Sequence, residues 1–440
     1  MNAPAIDWDE VTKEATDLLS RYLTIDTTNP PGNEEPAARF LADLLRAEGI
    51  DDITFYDASD GTSQGRLNLR ARLPGNGSAR PLVLLNHTDV VPVERDGWKE
   101  EPFAGLVQDG VIWGRGALDM KGMGIMELIT LFLMHRHRLP HSRDIVFLAV
   151  ADEEAGGDYG IEFLARQHPE ALEAEFVINE GGYGSTEVMG VKRPAINCAV
   201  SEKGPCWLKL VAEGHPGHGS VPRGDNALDR LLRALQRIRE WQHPRTIVPE
   251  LGEYFARAHR YGFMAEEPTE EAIARMGDHN PLIRAMTSNT ISLTTVHAGV
   301  KHNVIPARAE ATIDCRLLPG TDAEAFIEEL RRVVDDPKIQ IEKVLVSSTP
   351  PSPIDTELMT VMEEVVREHV EEAVVLPVIS AGFTDSRVFR EQGVTAYGFI
   401  PALLEPLEAA AIHGHNERLS IENLRLGCQI LFEVVRRISA

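Results

Sequence analysis

Apolar residues recur at helical spacing between positions 8 and 48, interrupted at Asn29-Pro30-Pro31-Gly32-Asn33, where two prolines and a glycine force a loop before Glu34 to Glu48 resumes the pattern. Two opening helices are predicted. Beyond them, short apolar runs alternate with longer amphipathic stretches. Strands are predicted over Arg66 to Leu73, Leu82 to Leu85, Asp144 to Val150 and Phe176 to Asn179, and helices over about Met120 to Arg136 and Tyr159 to Gln167. Such alternation implies an α/β core, a largely parallel sheet with helices on both faces.

The order changes after about Ser201. A strand over Pro205 to Glu213, a helix over Asn226 to Trp241, strands over Thr290 to Ala298 and Ala307 to Leu317, a helix over Asp322 to Val334 and a strand over Ile339 to Val346 follow one another. That β-α-β-β-α-β order is ferredoxin-like and predicts a second, smaller domain inserted into the first. The weakly periodic stretch 242–289 is too long for a plain loop and is expected to be a mostly helical elaboration of the insert. The proline run from Ser347 to Pro353 reads as a return hinge, after which helices around Thr356 to His369 and Ile421 to Ser439 complete the first domain. The expected division is therefore 1–202 and 349–440 for the first domain and 203–348 for the insert.

Composition narrows the function. The 440 residues carry 44 Lys+Arg against 68 Asp+Glu, a formal charge of −24, the opposite of the basic footprint that nucleic acid requires. The four cysteines, Cys198, Cys206, Cys315 and Cys428, are too scattered for a disulfide framework and fit a reducing cytoplasm. The N-terminus MNAPAIDWDEVTKEA lacks a basic start followed by an apolar core, so no secretory signal is expected. Lys121 and Glu127 interrupt the most apolar helix, which falls short of the roughly 20 residues of a membrane span.

Three predicted strands run straight into ionisable groups: Leu82 to Asn86 into His87-Thr88-Asp89, Ile145 to Val150 into Asp152-Glu153-Glu154, and Phe176 to Asn179 into Glu180-Gly181-Gly182. Open α/β sheets bind ligands at the carboxyl ends of their strands. Asp119, in a glycine-rich turn that opens a helix, and His413, just before the last helix, add two further groups. Two imidazoles among several carboxylates, with no thiolate cluster, suit a borderline divalent cation: zinc, with cobalt or manganese as alternatives. So many acids in one place repel one another unless cations offset them, which argues for two ions. Paired ions acidify a water between them, which is hydrolytic chemistry.

The succession His-x-Asp (87–89), Gly-Arg-Gly-x-x-Asp-x-Lys-Gly (114–122), Asp-Glu-Glu (152–154), Glu-Gly-Gly (180–182) and His-x-x-Asn-Glu (413–417) resembles the M20 metallopeptidases, a family of aminoacylases, carboxypeptidases, acetylornithine deacetylase and succinyl-diaminopimelate desuccinylase. The resemblance runs from about Asn86 to Glu417. It implies that His87 and Glu180 ligate one metal, Glu154 and His413 the other, and that Asp119 bridges them. Asp89 would orient the His87 imidazole, and Glu153 would be the general base. The insert resembles the family's lid and dimerisation domain, in which His218 of Gly-His-Pro-Gly-His-Gly-Ser (214–220) would stabilise the oxyanion, often in the partner subunit's site. Asn303, Arg316 and Gly382 match substrate-holding positions, Arg316 through the substrate carboxylate. Glu180, where the tripeptidase and glutamate carboxypeptidase branches usually have Asp, points to N-acyl amino acid hydrolysis. A carboxypeptidase or dipeptidase of the same family is the second reading, and a non-catalytic, metal-containing ligand binder a third.

Taken singly, each element has a plainer reading. His-x-Asp after a strand is commonly a surface hydrogen-bonding pair, Asp119 an ordinary helix N-terminal acid, and Asp152-Glu153-Glu154 a solvated turn. The segment 214–220 could be a flexible turn, and Arg316 could pair with Asp314 or Glu310.

Overall fold

In the strand Leu82–His87, Leu82 and Leu84 join one hydrophobic cluster while Val83 and Leu85 join another, and Ile145–Val150 divides its side chains in the same way. Successive strand side chains point to opposite faces, so an unbroken apolar run is what a sheet covered on both sides requires. The computed structural model describes residues 5–440, so the first four residues of the segment read for a secretory signal lie outside it.

These two strands belong to an eight-stranded sheet in the order Ile53–Asp57, Leu67–Leu73, Ile145–Val150, Leu82–His87, Phe176–Ser185, Thr395–Leu404, Ala195–Glu202, Val374–Ser380. The four strands from Ile145–Val150 to Thr395–Leu404 are mutually parallel, while Ile53–Asp57, Leu67–Leu73 and Ala195–Glu202 bring antiparallel pairings toward the edges. One face is covered by Trp8–Leu23, Glu35–Ala47, Lys121–Arg136, Glu357–His369 and Ile421–Ile438, the other by Ile161–Gln167 and Ser386–Glu391. Lys121–Arg136 is buried on nearly every side, and its polar residues find partners inside: Lys121 Nζ donates to the Ile25 carbonyl at 2.6 Å and Glu127 accepts from Asn86 at 2.7 Å. It is a core helix. Among the described residues no helix is long and apolar enough to cross a membrane.

The inserted segment forms a four-stranded antiparallel sheet in the order Thr290–Ala298, Arg308–Leu317, Gly204–Glu213, Ile339–Val346. Ala227–Glu240 and Ala323–Val334 pack on it through Leu231, Leu235, Phe326 and Leu330. The stretch 242–289 contains the helices Pro249–Arg260, Glu270–His279 and Pro281–Met286. It rests on the main sheet: Leu251 and Phe255 meet Ile379, and Ala258 joins Val374 and Leu376, all three on the edge strand Val374–Ser380. An edge strand is a hazard for unwanted pairing, and packing a helix against it is one way to protect it. The two chain crossings between the sheets lie side by side, Thr349 Oγ1 donating to the Glu202 carbonyl at 2.6 Å and the Ser352 N–H to that of Val200 at 2.8 Å.

Candidate metal centre

The strand ladder sets the site. His87 ends its strand directly opposite Val150 of the parallel neighbour, so the turn carrying Asp152, Glu153 and Glu154 emerges beside it. Glu180 departs from the sequence expectation: its strand continues past Asn179 to Ser185, so the carboxylate projects from within the strand rather than after it. The cause is close backbone packing, since a Cβ on Gly182 would meet the carbonyl oxygens of Asn197 at 2.5 Å and Gly398 at 2.7 Å. Asp119 lies in the turn before Lys121–Arg136, and His413 in the loop before Ile421–Ile438 with a left-handed φ of 57°.

The five groups converge. His87 Nε2 lies 3.0 Å from Asp119 Oδ1 and 3.4 Å from Glu180 Oε1. His413 Nε2 lies 3.0 Å from Asp119 Oδ2 and 3.2 Å from Glu154 Oε2. Asp119 thus turns one oxygen toward each imidazole. Ligand atoms of His87, Asp119 and Glu154, and again of His87, Glu153 and Glu180, cluster within 4.8 Å. The donor set fits divalent cations, and the buried Glu154 Oε1 has no protein hydrogen-bond partner.

The electrostatics reflect crowded acids. Burial, then the Asp119 charge, pushes Glu154 up to about 7, and the same two causes raise Glu180. Burial, then Glu180, raises Glu153 well above the usual carboxylate range. Burial opposes charging of Asp119, but the hydrogen bonds from His413 and His87 outweigh it and hold that carboxyl low. Hydrogen bonds to Asp119 and Glu154 raise His413 to about 10. Burial works against a charged His87, yet Glu180, Asp119 and Asp89 together raise it well above the imidazole range. Crowded acids thus favour positive charge on the two imidazoles, and binding of a divalent cation there would compete with protons.

Asp89 is fully buried and has several partners. His87 Nδ1 lies 3.0 Å from its backbone oxygen and 3.4 Å from Oδ1, and its carboxylate accepts the backbone N–H groups of Glu153 and Glu154 at 3.1 Å each. Asn29, from the proline loop, donates Nδ2 to Asp89 at 2.8 Å and to Asp152 at 2.9 Å. Arg66 packs beneath, its Nη1 2.6 Å from Glu34 and 3.3 Å from Asp152. In the sequence Asn29 was legible only as part of a proline loop, Glu34 as the start of a helix and Arg66 as the start of a strand.

A cavity of about 350 Å³ opens onto the cluster. Asp119, Glu153, Glu154, Glu180 and His413 line its polar end. Leu118, Tyr183, Ile400 and Ile412 give it an apolar wall, and Trp207, Arg316, Gly382 and Phe383 line it as well, the Trp207 and Phe383 rings 5.7 Å apart. Arg316 binds Asp314 through Nε at 2.7 Å and Nη2 at 3.0 Å, with the Trp207 and Phe383 rings 5.4 and 5.0 Å away. His218 and Asn303 are not brought here. They lie together on the inserted segment, Gly217–His218 pairing with Val304–Ile305, and His218 is exposed with Ser220 Oγ 2.7 Å from its Nδ1.

The profile of Peptidase family M20/M25/M40 matches residues 83–437. The chain is 30% identical over 376 residues to the N-fatty-acyl-amino acid synthase/hydrolase PM20D1 of Homo sapiens, covering 82% of this chain and 74% of that protein. It is 29% identical over 411 residues to aminoacylase-1 of Sus scrofa, covering 91% and 89%. Its fold is similar to that of the M20 family metallo-carboxypeptidase Sso-CP2 from Sulfolobus solfataricus, with a TM-score of 0.72, 19% identity, and 97% and 99% of the two chains covered.

Proposed function

The chain belongs to peptidase family M20/M25/M40 and is a metal-dependent hydrolase, and from that premise we propose that it is a di-zinc amidohydrolase of N-acyl amino acids. The observation that carries this reading is the placement of Asp119, with one oxygen 3.0 Å from His87 and the other 3.0 Å from His413. His87 and Glu180 would hold one ion, Glu154 and His413 the other, and Asp119 both, with cobalt or manganese as substitutes. When bound, such a pair lowers the pKa of water and polarises a carbonyl.

Glu153 takes a proton from the attacking water as its oxygen adds to the amide carbon, and returns it to the nitrogen as the C–N bond breaks, leaving a carboxylic acid and a free amine. Asp89 holds the Glu153-Glu154 turn and the His87 ring in place. Asp314 engages Nε and Nη2 of Arg316, which leaves Nη1 for the carboxylate of the amino acid, with Gly382 giving it room. The wall of Leu118, Tyr183, Ile400 and Ile412 suits an apolar acyl group better than the charged amine of a peptide, in keeping with the activities for which PM20D1 and aminoacylase-1 are named.

A homodimer is part of the proposal. Thr290–Ala298 is an edge strand of the inserted sheet with Leu293 and Val296 exposed, a surface fit for pairing with a second copy. In that arrangement His218 and Asn303 would serve the partner's cavity. The four cysteines are free and buried, which supports a reducing cytoplasm. The test is kcat/KM on N-acetyl, N-succinyl and longer N-acyl amino acids beside dipeptides, with metal content measured on the same sample. The account expects preference for apolar acyl groups; faster turnover of dipeptides supports the peptidase reading instead, and no turnover of any substrate by metal-loaded protein overturns both.

A further inference from the structure

Arg115 and Glu417 stand in the motif runs 114–122 and 413–417 around Asp119 and His413, yet neither lines the cavity nor serves as a ligand in the reading above. Their side chains are 2% and 0% exposed. Arg115 Nη1 donates to Glu417 Oε2 at 2.6 Å. The same carboxylate accepts the backbone N–H groups of Gly116 at 3.1 Å, Leu118 at 2.7 Å and Asp119 at 3.0 Å. Arg115 Nη2 donates to the Gly414 carbonyl at 2.9 Å, and the Gly114 N–H to the Glu417 carbonyl at 3.1 Å. Segments 299 residues apart in the chain are stitched together, one carrying Asp119 and the other His413.

The loop that carries His413 needs such anchors. His413 and Asn416 both have left-handed backbones, with φ of 57° and 62°, a conformation that non-glycine residues hold only when their surroundings impose it. Asn416 Oδ1 accepts the Lys99 N–H at 2.7 Å, and Glu417 closes the other end. A buried ion pair is a poor source of stability beside well-packed apolar groups, so its use here points to orientation. The pair is forked: Glu417 grips the Asp119 backbone itself, whereas Arg115 reaches past Glu417 to the residue after His413.

We infer that Arg115 and Glu417 are positioning residues that set the separation of Asp119 and His413 before an ion arrives, an inference that rests on the reading of those two residues as metal ligands. Glu417→Gln replaces an oxygen that accepts N–H groups with a donor and loosens Asp119. Arg115→Lys keeps the charge opposite Glu417 but lacks the second arm that holds Gly414, and loosens His413 alone.

The experiment titrates metal-free wild type, E417Q and R115K with cobalt(II), following the visible absorption of the bound ion, with circular dichroism as a check on folding. Expected are two equivalents bound by wild type, affinity about 10- to 100-fold weaker in E417Q with an altered spectrum, and a similar weakening confined to one equivalent in R115K. Wild-type affinity and spectra in both folded variants overturn the inference, as does a loss of folded protein with unchanged affinity in the part that remains folded. If E417Q fails to fold, R115K decides alone: wild-type behaviour refutes, and the one-site defect supports. A wild type that takes up no cobalt refutes the metal reading itself, a distinguishable result.

Discussion

Asn29→Ala removes a side chain that is 2% exposed and joins two buried acids. Its amide nitrogen donates to Asp89 at 2.8 Å and Asp152 at 2.9 Å, and its oxygen accepts from Arg66 at 3.3 Å. A hydrogen bond to a charged group contributes about 1.5–3 kcal/mol. The two carboxylates keep other partners: Asp89 has the Glu153 and Glu154 N–H groups, and Asp152 has the Tyr159 N–H at 3.1 Å and Arg66 at 3.3 Å. Each lost bond therefore belongs at the low end, and the long contact to Arg66 adds little, giving a loss of about 3 kcal/mol. Urea unfolding by circular dichroism should show the midpoint shifted at unchanged m-value. Asn29→Asp should be worse, because it places a third acid where a donor is needed. A loss below about 1 kcal/mol for Asn29→Ala, or an Asp variant as stable as wild type, would refute the reasoning.

Glu153→Gln should lower kcat by about 10²- to 10⁴-fold with metal content retained, the usual contribution of a general acid–base group; unchanged turnover removes the proposed mechanism. Arg316→Leu should raise KM for carboxylate-bearing substrates by about 10- to 100-fold, the effect of losing one charged hydrogen bond, and should leave hydrolysis of a neutral amide analogue near its wild-type rate. Burial raises the Glu127 pKa far above the carboxylate range, so the folded protein keeps this proton while the unfolded chain loses it above its ordinary pKa near 4.5. Glu127 then costs stability as pH rises from 4.5 toward its folded pKa, and Glu127→Gln should gain on wild type between pH 5 and pH 8 in thermal melts; a difference that does not change with pH contradicts this.

The parallel core was readable because Leu82 to Leu85 and Ile145 to Val150 are unbroken apolar runs that end in ionisable residues. Four strands of the eight-stranded sheet were not, namely Ile53–Asp57, Ala195–Glu202, Val374–Ser380 and Thr395–Leu404. Val374–Ser380 contains Pro377, a strand breaker that is tolerated because this strand lies at the edge of the sheet. Thr395–Leu404 contains Gly398, where a Cβ would stand 2.3 Å from the Glu180 carbonyl, so the glycine permits close strand packing rather than marking a turn. The convergence of His87, Glu154 and Glu180 was readable because three strands run into ionisable residues at the carboxyl ends of a parallel sheet, with Asp119 and His413 as two further candidates, while the sharing of these five groups between two ions came from the resemblance. The Asn29 bridge and the Arg115–Glu417 stitch escaped because a buried pairing depends on which segments the fold brings together. His218 and Asn303, expected at the site from the resemblance, lie instead at the short Gly217–His218 and Val304–Ile305 ladder of the inserted segment.

Anomalous diffraction at the zinc edge from crystals of metal-loaded protein tests the central claim most directly. Two peaks are predicted per chain, one between His87 and Glu180 and one between His413 and Glu154, with Asp119 reaching both. A single peak, or peaks away from Asp119, would contradict it.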